Sequence, residues 1–324
     1  MGKKILSVAL SAMLLAFGFS VEAQQPKKVP LVSFLAPTSP SPNSEAFRRG
    51  LRELDYAEGK NIVLEWRFAE GKMDRLPDLA AELVRMKVDV IVVAGGNAAL
   101  AAKKATSTIP IVIAAASDPV GTGLVASLAR PGGNITGLSI LSPELSGKRL
   151  ELLKETVPGI TRVAALVYPD NPAYALMLKE TQDAARFLGV QLQILEVRSP
   201  DGFDSAFRAA KKERAGALNV LSSAFFTAHR KKLLELAAKN RLPAIYHNEE
   251  FVENGGLMFY GPSIADSNRR AATFVDKILK GRTPADLPVE QPMRFEFIIN
   301  LIAAKQIGLT IPPNVLVRAT RVIR

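Results

Sequence analysis

The chain has 324 residues, of which 48% are hydrophobic, 6% aromatic and 23% charged, with a formal net charge of +11 and no cysteine. The missing cysteines exclude disulfides, a lipid-anchoring thiol and a Cys/His metal cluster, and His229 and His247 are the only histidines. The positive charge carries no basic–aromatic alternation of the kind that stacks on bases, so nucleic acid is not the expected partner.

Residues 1–23 read as an export signal. Lys3 and Lys4 form a positive start, Ile5 to Phe19 is an uncharged apolar run, and Val21-Glu22-Ala23 offers small residues for cleavage after about Ala23. The competing reading, a membrane anchor, wants a longer apolar run. Cleavage takes the net charge from +11 to +10 through loss of Lys3, Lys4 and Glu22. What remains, 301 of the 324 residues, suits two lobes better than one core. An exported chain without a lipid anchor points to the periplasm. The lysine pairs Lys103-Lys104, Lys211-Lys212 and Lys231-Lys232 fall on helix faces or ends and read as solvated surface.

Strand and helix then alternate. Val29–Ala36 is an apolar strand, followed by a loop stiffened by Pro37, Pro40 and Pro42. Ser44 is expected to cap a helix with Phe47, Gly50, Leu51 and Leu54 on one face. Asn61–Phe68 reads as a strand, about Asp74–Met86 as a helix, Val88–Ala94 as a strand and Asn97–Thr106 as a helix. Ile109–Ala116 is a strand that leads into Asp118–Gly137, DPVGTGLVASLARPGGNITG. A loop leaving a strand end with an acid and several glycines is where α/β proteins commonly bind a ligand. Gly121, Gly123 and Ala126 also fit the G-x-G-x-x-A dinucleotide pattern, with Glu144 placed as the ribose acid. Against that reading, Ser117–Val120 separates strand from glycine, and the next helix, about Leu124–Arg130, is cut short by Pro131. Ile135–Leu141 is a short strand. Ser142 and Pro143 start a helix that runs to Thr156.

The second half repeats the rhythm. Strands are expected at Val163–Tyr168, Gln191–Val197, Ala217–Leu221, Leu242–Tyr246 and Gly256–Tyr260. Helices are expected from Asn171-Pro172, with Met177, Ala184, Phe187 and Leu188 inward, from Ser199-Pro200, over Thr227–Lys239 and over Ala265–Lys280. A strand near Arg294–Ile299 and a helix to Ile307 close the chain. Continuous apolar strands between amphipathic helices imply parallel sheets covered on both faces. The fold class is α/β, with two doubly wound parallel-sheet lobes whose strand ends face a common ligand cleft. The first lobe is placed at 24–141 plus about 262–288, the second at 142–261 plus about 289–324.

DPVGTGLVASLARPGGNITG resembles a signature of the ABC-transporter substrate-binding family that includes tryptophan- and tyrosine-binding members. Leu242–Tyr246, Glu250–Leu257, Tyr260-Gly261, Asp286–Pro292, Ile299–Leu301, Ala303–Lys305 and Gly308–Pro313 agree, so the resemblance covers essentially the whole mature chain. It implies a type I periplasmic-binding fold, a ligand enclosed between two lobes, and no catalysis. The chain departs from the family pattern at Tyr246–Glu249 and at Phe259, positions expected to border the cleft.

Each candidate ligand residue follows a strand end. Asn97 and Ala98 open a helix whose free N–H groups suit a carboxylate, and Asp118 suits an ammonium group or simply its own turn. Ser39 and Ser41 lie in the proline-stiffened loop, and Tyr168 and Asn171 follow the second lobe's first strand. Ser222, Ser223 and Phe225 follow its third, with one of Phe225 and Phe226 in the core and the other over an apolar ligand. Tyr246, His247 and Glu249 follow its fourth. The pair Glu249-Glu250 reads as solvated, and the lone Trp66 as packing. No G-x-S-x-G or P-loop pattern is present, and no cofactor is expected. The chain is thus expected to be a monomeric periplasmic binding protein. It captures a small solute, an amino acid or an aromatic or carboxylate-bearing compound, for an ABC permease in the inner membrane. The alternatives are a ligand-sensing module for a membrane receptor and, through Gly121–Ala126, an NAD-dependent enzyme.

Overall fold

The computed structural model describes residues 28–324. The expected export signal, 1–23, lies outside the described residues. Among those described, no helix is long and apolar enough to cross a membrane.

The first lobe is built from β1 (Leu31–Ala36), α1 (Pro42–Arg52), β2 (Val63–Phe68), α2 (Leu76–Arg85), β3 (Val90–Ala94), α3 (Gly96–Ala105), β4 (Ile111–Ala116) and β5 (Ile135–Ser139). Its sheet has the order β2-β1-β3-β4-β5, with every pairing parallel. Parallel strands need a return across one face, and the amphipathic helices between them supply it. β3 and β4 are apolar throughout, as strands covered on both faces must be.

The second lobe begins with α4 (Ser142–Thr156), β6 (Arg162–Val167), α5 (Tyr174–Leu188), β7 (Gln191–Glu196), α6 (Gly202–Lys212) and β8 (Ala217–Val220). It continues with α7 (Ala224–Ala228), α8 (Arg230–Lys239), β9 (Ala244–Tyr246), α9 (Glu249–Glu253) and β10 (Met258–Gly261). The chain then returns to the first lobe as α10 (Ile264–Leu279), which lies against α1 and β4. β11 (Glu296–Asn300), α11 (Leu301–Ile307), α12 (Pro313–Leu316) and β12 (Arg321–Ile323) complete the second lobe. Its sheet runs β12-β11-β10-β9-β8-β6-β7, parallel except for β10 against β11. Two doubly wound lobes are thus joined by crossings at 139–142, 261–264 and 290–296. Val289 and Glu290 still bond to the first lobe, at Leu128 and Gly137.

Several expected elements differ. Leu124–Arg130 forms turns rather than a helix, because the backbone N–H groups of Leu124 and Val125 turn back onto the Pro119 carbonyl. The expected helix Thr227–Lys239 is two helices broken at His229, and α5 begins at Tyr174 rather than at Asn171-Pro172. Phe187, expected inward, is 91% exposed, since the buried face of α5 is set by Met177, Thr181 and Ala185. The short helix α9 and the strand β12 carry no strong sequence pattern.

Candidate functional site

The carboxyl ends of both sheets open onto one cleft between the lobes. β1 delivers Pro37, Thr38, Ser39, Ser41 and Asn43; β3 delivers Gly95, Gly96 and Asn97; β4 delivers Ser117. From the other lobe come Asn171 after β6, Ser222 and Ser223 after β8, and His247, Asn248 and Glu250 after β9. Ligands of open α/β sheets sit at such strand ends because helix N-termini and free loop N–H groups gather there. The space between the two walls, counted with its open mouth, is about 810 Å³.

One wall is aromatic. Phe34 and Phe68 line the cleft, and behind them Trp66 stacks on Phe68 with ring centroids 6.0 Å apart and nearly parallel. Arg48 lies over the Trp66 ring at 4.6 Å. Trp66 therefore backs the wall instead of forming it, in line with the packing role expected of it.

The polar groups divide into cross-lobe contacts and local caps. Asn43 Nδ2 donates to Glu250 Oε1 at 2.7 Å, and Asn97 Nδ2 donates to the Asp170 carbonyl at 3.0 Å; both bonds join one lobe to the other. Ser41 caps α1, with Oγ accepting from Asn43 N at 3.3 Å. Asn171 Oδ1 accepts from Ala173 N, and its Nδ2 donates to the Ser222 carbonyl. The N-terminus of α3 has no side-chain cap, and Gly95 there adopts φ +95°, which favours glycine. His247 Nε2 accepts from Ser223 N at 3.3 Å and meets Thr227 Oγ1 at 3.1 Å, which assigns the ring proton to Nδ1. Burial, and then the charge of Arg149, push His247 down to about 3, so the ring is neutral. Nδ1 has no hydrogen-bond partner of normal geometry, although the Val220 backbone acts weakly in the opposite sense from burial.

Of the expected site residues, the structure gathers Ser39, Ser41, Asn97, Asn171, Ser222, Ser223 and His247 in the cleft wall. Ala98 is fully buried behind it, leaving only its backbone N–H in the first turn of α3. Asp118 stands outside the wall: its Oδ1 accepts from Val120 N and Gly121 N and so closes its own turn. Tyr168 and Phe225 stack on each other at 4.6 Å inside the second lobe's core, and Phe226 is buried with them, so neither phenylalanine covers the cleft. Tyr246 is buried in the second lobe's core, where it stacks on Phe251 at 4.6 Å. Glu249 and Glu250 are both buried rather than solvated, because α9 turns one toward the crossing and the other into the cleft. Glu249 Oε1 accepts from Ile264 N at 2.8 Å and Ala265 N at 3.1 Å, tying the second lobe to the start of α10. Phe259, expected at the border, is packed with Val252 and Ile298 in a separate core cluster. After Gly121 and Gly123 no helix follows to seat a pyrophosphate, and Lys103 Nζ bonds the Gly123 carbonyl instead.

Phe34, Phe68, Asn43, Glu250 and, on α10, Asn268 also line the cleft, and none of them is marked as a ligand residue by the sequence alone. Asn43 and Glu250 are 207 residues apart, a pairing that no local pattern signals. Phe68 had a usable signal, as the last residue of a strand beside the proline loop.

A sequence profile described as ABC transporter substrate binding protein matches residues 28–323. A tyrosine-binding protein of Clostridioides difficile is 27% identical over 260 residues, spanning 79% of this chain and 73% of that one. The crystal structure of a conserved domain protein from Vibrio cholerae superposes with a TM-score of 0.85 at 29% identity, covering 91% of this chain and 100% of that one. The structure of an ABC domain from Streptococcus pneumonia in complex with L-Trp superposes with a TM-score of 0.84 at 25% identity, covering 91% and 99%.

Proposed function

The chain belongs to the ABC transporter substrate-binding protein family, and on that premise we propose that it captures an amino acid, foremost an aromatic one, in the cleft between its lobes. In this reading it passes the solute to the permease of an ABC importer, works in the periplasm as a monomer, and catalyses nothing. The observation that carries the proposal is the convergence of both sheets' carboxyl ends on one cleft with an aromatic wall, Phe34 and Phe68, and a rim of hydroxyls and amides. A few placed polar groups in an apolar pocket fix a small solute's orientation. The tyrosine-binding relative and the L-Trp complex support the choice of solute.

The mechanism follows from the two cross-lobe bonds. Asn43 with Glu250 and Asn97 with Asp170 form only when the lobes meet, so a solute that touches both walls favours the closed form. Closure removes water from around the solute and brings together surface from both lobes, the cue a permease would read. Glu249, bound to the start of α10, keeps the crossing at 261–264 in register while the lobes move.

The test is a thermal-shift screen of residues 24–324 against amino acids, aromatic acids and nicotinamide cofactors. A solute at a hundred times its dissociation constant adds about 2.7 kcal/mol of stability and raises Tm clearly. The proposal expects L-tyrosine or L-tryptophan among the hits. A response to dinucleotides alone would overturn it.

A further inference from the structure

We propose that Glu250 is the specificity-determining residue of the cleft, the group that receives the solute's cationic amino group, so that the site takes α-amino acids in preference to the matching plain carboxylic acids. The inference rests on the reading of the cleft as an amino-acid site and names the residue that makes it one.

Among the described residues, Glu250 is the one acidic side chain in the cleft wall, and no lysine or arginine lines it. His247, the other ionisable group there, is neutral for the reason given above. The carboxyl of Glu250 is thus the acid that faces the cleft, with Arg230 behind it as an ion-pair partner. Glu250 is 3% exposed. Oε1 accepts from Asn43 Nδ2 at 2.7 Å, but Oε2 has no hydrogen bond. Arg230 Nη2 forms an ion pair with Oε2 at 3.5 Å without completing a hydrogen bond, while its Nη1 donates to the Thr227 carbonyl at 3.0 Å. A carboxylate has about four lone-pair sites, and a buried one left short of donors is costly. An ammonium group offers the three donors that Arg230 does not direct at Oε2, and a charge-assisted bond with them. The solute's carboxylate has no cation to meet and falls to the uncapped first turn of α3, at Gly96 and Asn97, where the N–H groups have no intrahelical acceptor. A plain aromatic acid would bring a second negative charge into a wall that already holds one, and would leave Oε2 unserved. Asp118, the acid that the sequence offers for this role, has its oxygen committed to its own turn.

The experiment is calorimetric titration of residues 24–324 with two matched pairs: L-tyrosine against 3-(4-hydroxyphenyl)propanoate, and L-tryptophan against indole-3-propanoate. The wild type is expected to bind the amino acid of a pair tenfold or more tighter. Glu250→Gln keeps the shape and the bond from Asn43 but removes the charge. It is expected to weaken the amino acid by about 10- to 100-fold, the range of a charge-assisted hydrogen bond, while the des-amino partner holds or gains affinity. Asn43→Ala serves as the second variant, because it removes a cross-lobe bond and leaves the charge. It is expected to weaken both members of a pair alike and to preserve the preference. Equal weakening of both members by Glu250→Gln would overturn the proposal and leave Glu250 as a latch. Tight wild-type binding of the des-amino acids alone would overturn it too, while leaving the cleft a solute site. Binding of none of the four compounds would overturn both this inference and the amino-acid reading beneath it.

Discussion

Two buried titratable residues stand near the crossing between the lobes and respond to pH in opposite senses. Burial, and then Arg149, hold His247 at about 3 rather than 6.5. Below about 6.5 the unfolded chain takes a proton that the folded one refuses, so His247 costs stability as pH falls toward 3. Glu249 is pushed up from 4.5 to about 7, chiefly by burial and against the pull of its bonds to Ile264 and Ala265. Between those values the folded chain holds a proton that the unfolded one has lost, so stability drains away as pH rises. From about 4.5 to 6.5 the two slopes oppose each other. Glu249→Gln removes one of them and leaves the other. The variant's Tm is therefore expected to climb more steeply with pH across that window than the wild type's. Parallel curves from a melting series would show that Glu249 titrates normally. Arg149 adds a third unusual group: fully buried, it is lowered to about 10 by desolvation and donates from Nε to the Tyr260 carbonyl at 2.8 Å. The truncation Arg149→Met would remove that tie to the strand entering the crossing.

At the scale of elements, a tight helix–helix approach in the first lobe depends on a missing side chain. A Cβ on Gly50 would lie 2.1 Å from the Arg269 carbonyl oxygen and 3.0 Å from Ala272 Cβ, so α1 and α10 cross there only because residue 50 is glycine. Gly50→Ala gains about 1 kcal/mol of helix propensity but forces two helices apart, a strain of about 1–3 kcal/mol or more. A net loss of about 2 kcal/mol is expected in urea unfolding, and an unchanged midpoint would mean that the helices part freely. Much of this level was legible in the sequence. Apolar runs such as Val90–Ala94 and Ile111–Ala116 mark strands covered on both faces, and the glycines and prolines mark their ends. The interior of Asp118–Gly137 was not, because glycine and serine side chains say little about whether a segment coils into turns or a helix. Its position as a conspicuous glycine loop drew the binding site toward Asp118, whereas the cleft is reached only by Ser117 at its edge. The choice between Glu249 and Glu250 was illegible for a different reason. Neighbours on a short helix point about 100° apart, and only the packed position of α9 tells which one meets the cleft. Phe225 and Phe226 show the complementary case, in which neighbouring rings both find room in one core because Tyr168 and Phe203 surround them.

For the whole molecule, the proposed capture turns on closure, and the contacts across the cleft are few. Asn97 contributes one bond across the mouth, to the Asp170 carbonyl at 3.0 Å, and Asp170 is in turn held by Arg198 at 2.6 Å. A hydrogen bond of this kind is worth about 0.5–1.5 kcal/mol. Asn97→Ala, which leaves the α3 backbone N–H groups in place, is accordingly expected to weaken L-tyrosine binding by about 2- to 10-fold in calorimetry. A loss of a hundredfold or more would give the Asn97 side chain a direct role on the solute. One solute between the two lobes, held by the strand ends of both, is what the cleft is proposed to take. Hydrogen–deuterium exchange with and without saturating L-tyrosine, repeated with L-tryptophan, tests it most directly. Slower exchange is expected in Thr38–Ser44 and Gly95–Ala98 of the first lobe together with Ser222–Thr227 and His247–Glu250 of the second. Protection confined to one lobe, or centred on Asp118–Gly137, would contradict it.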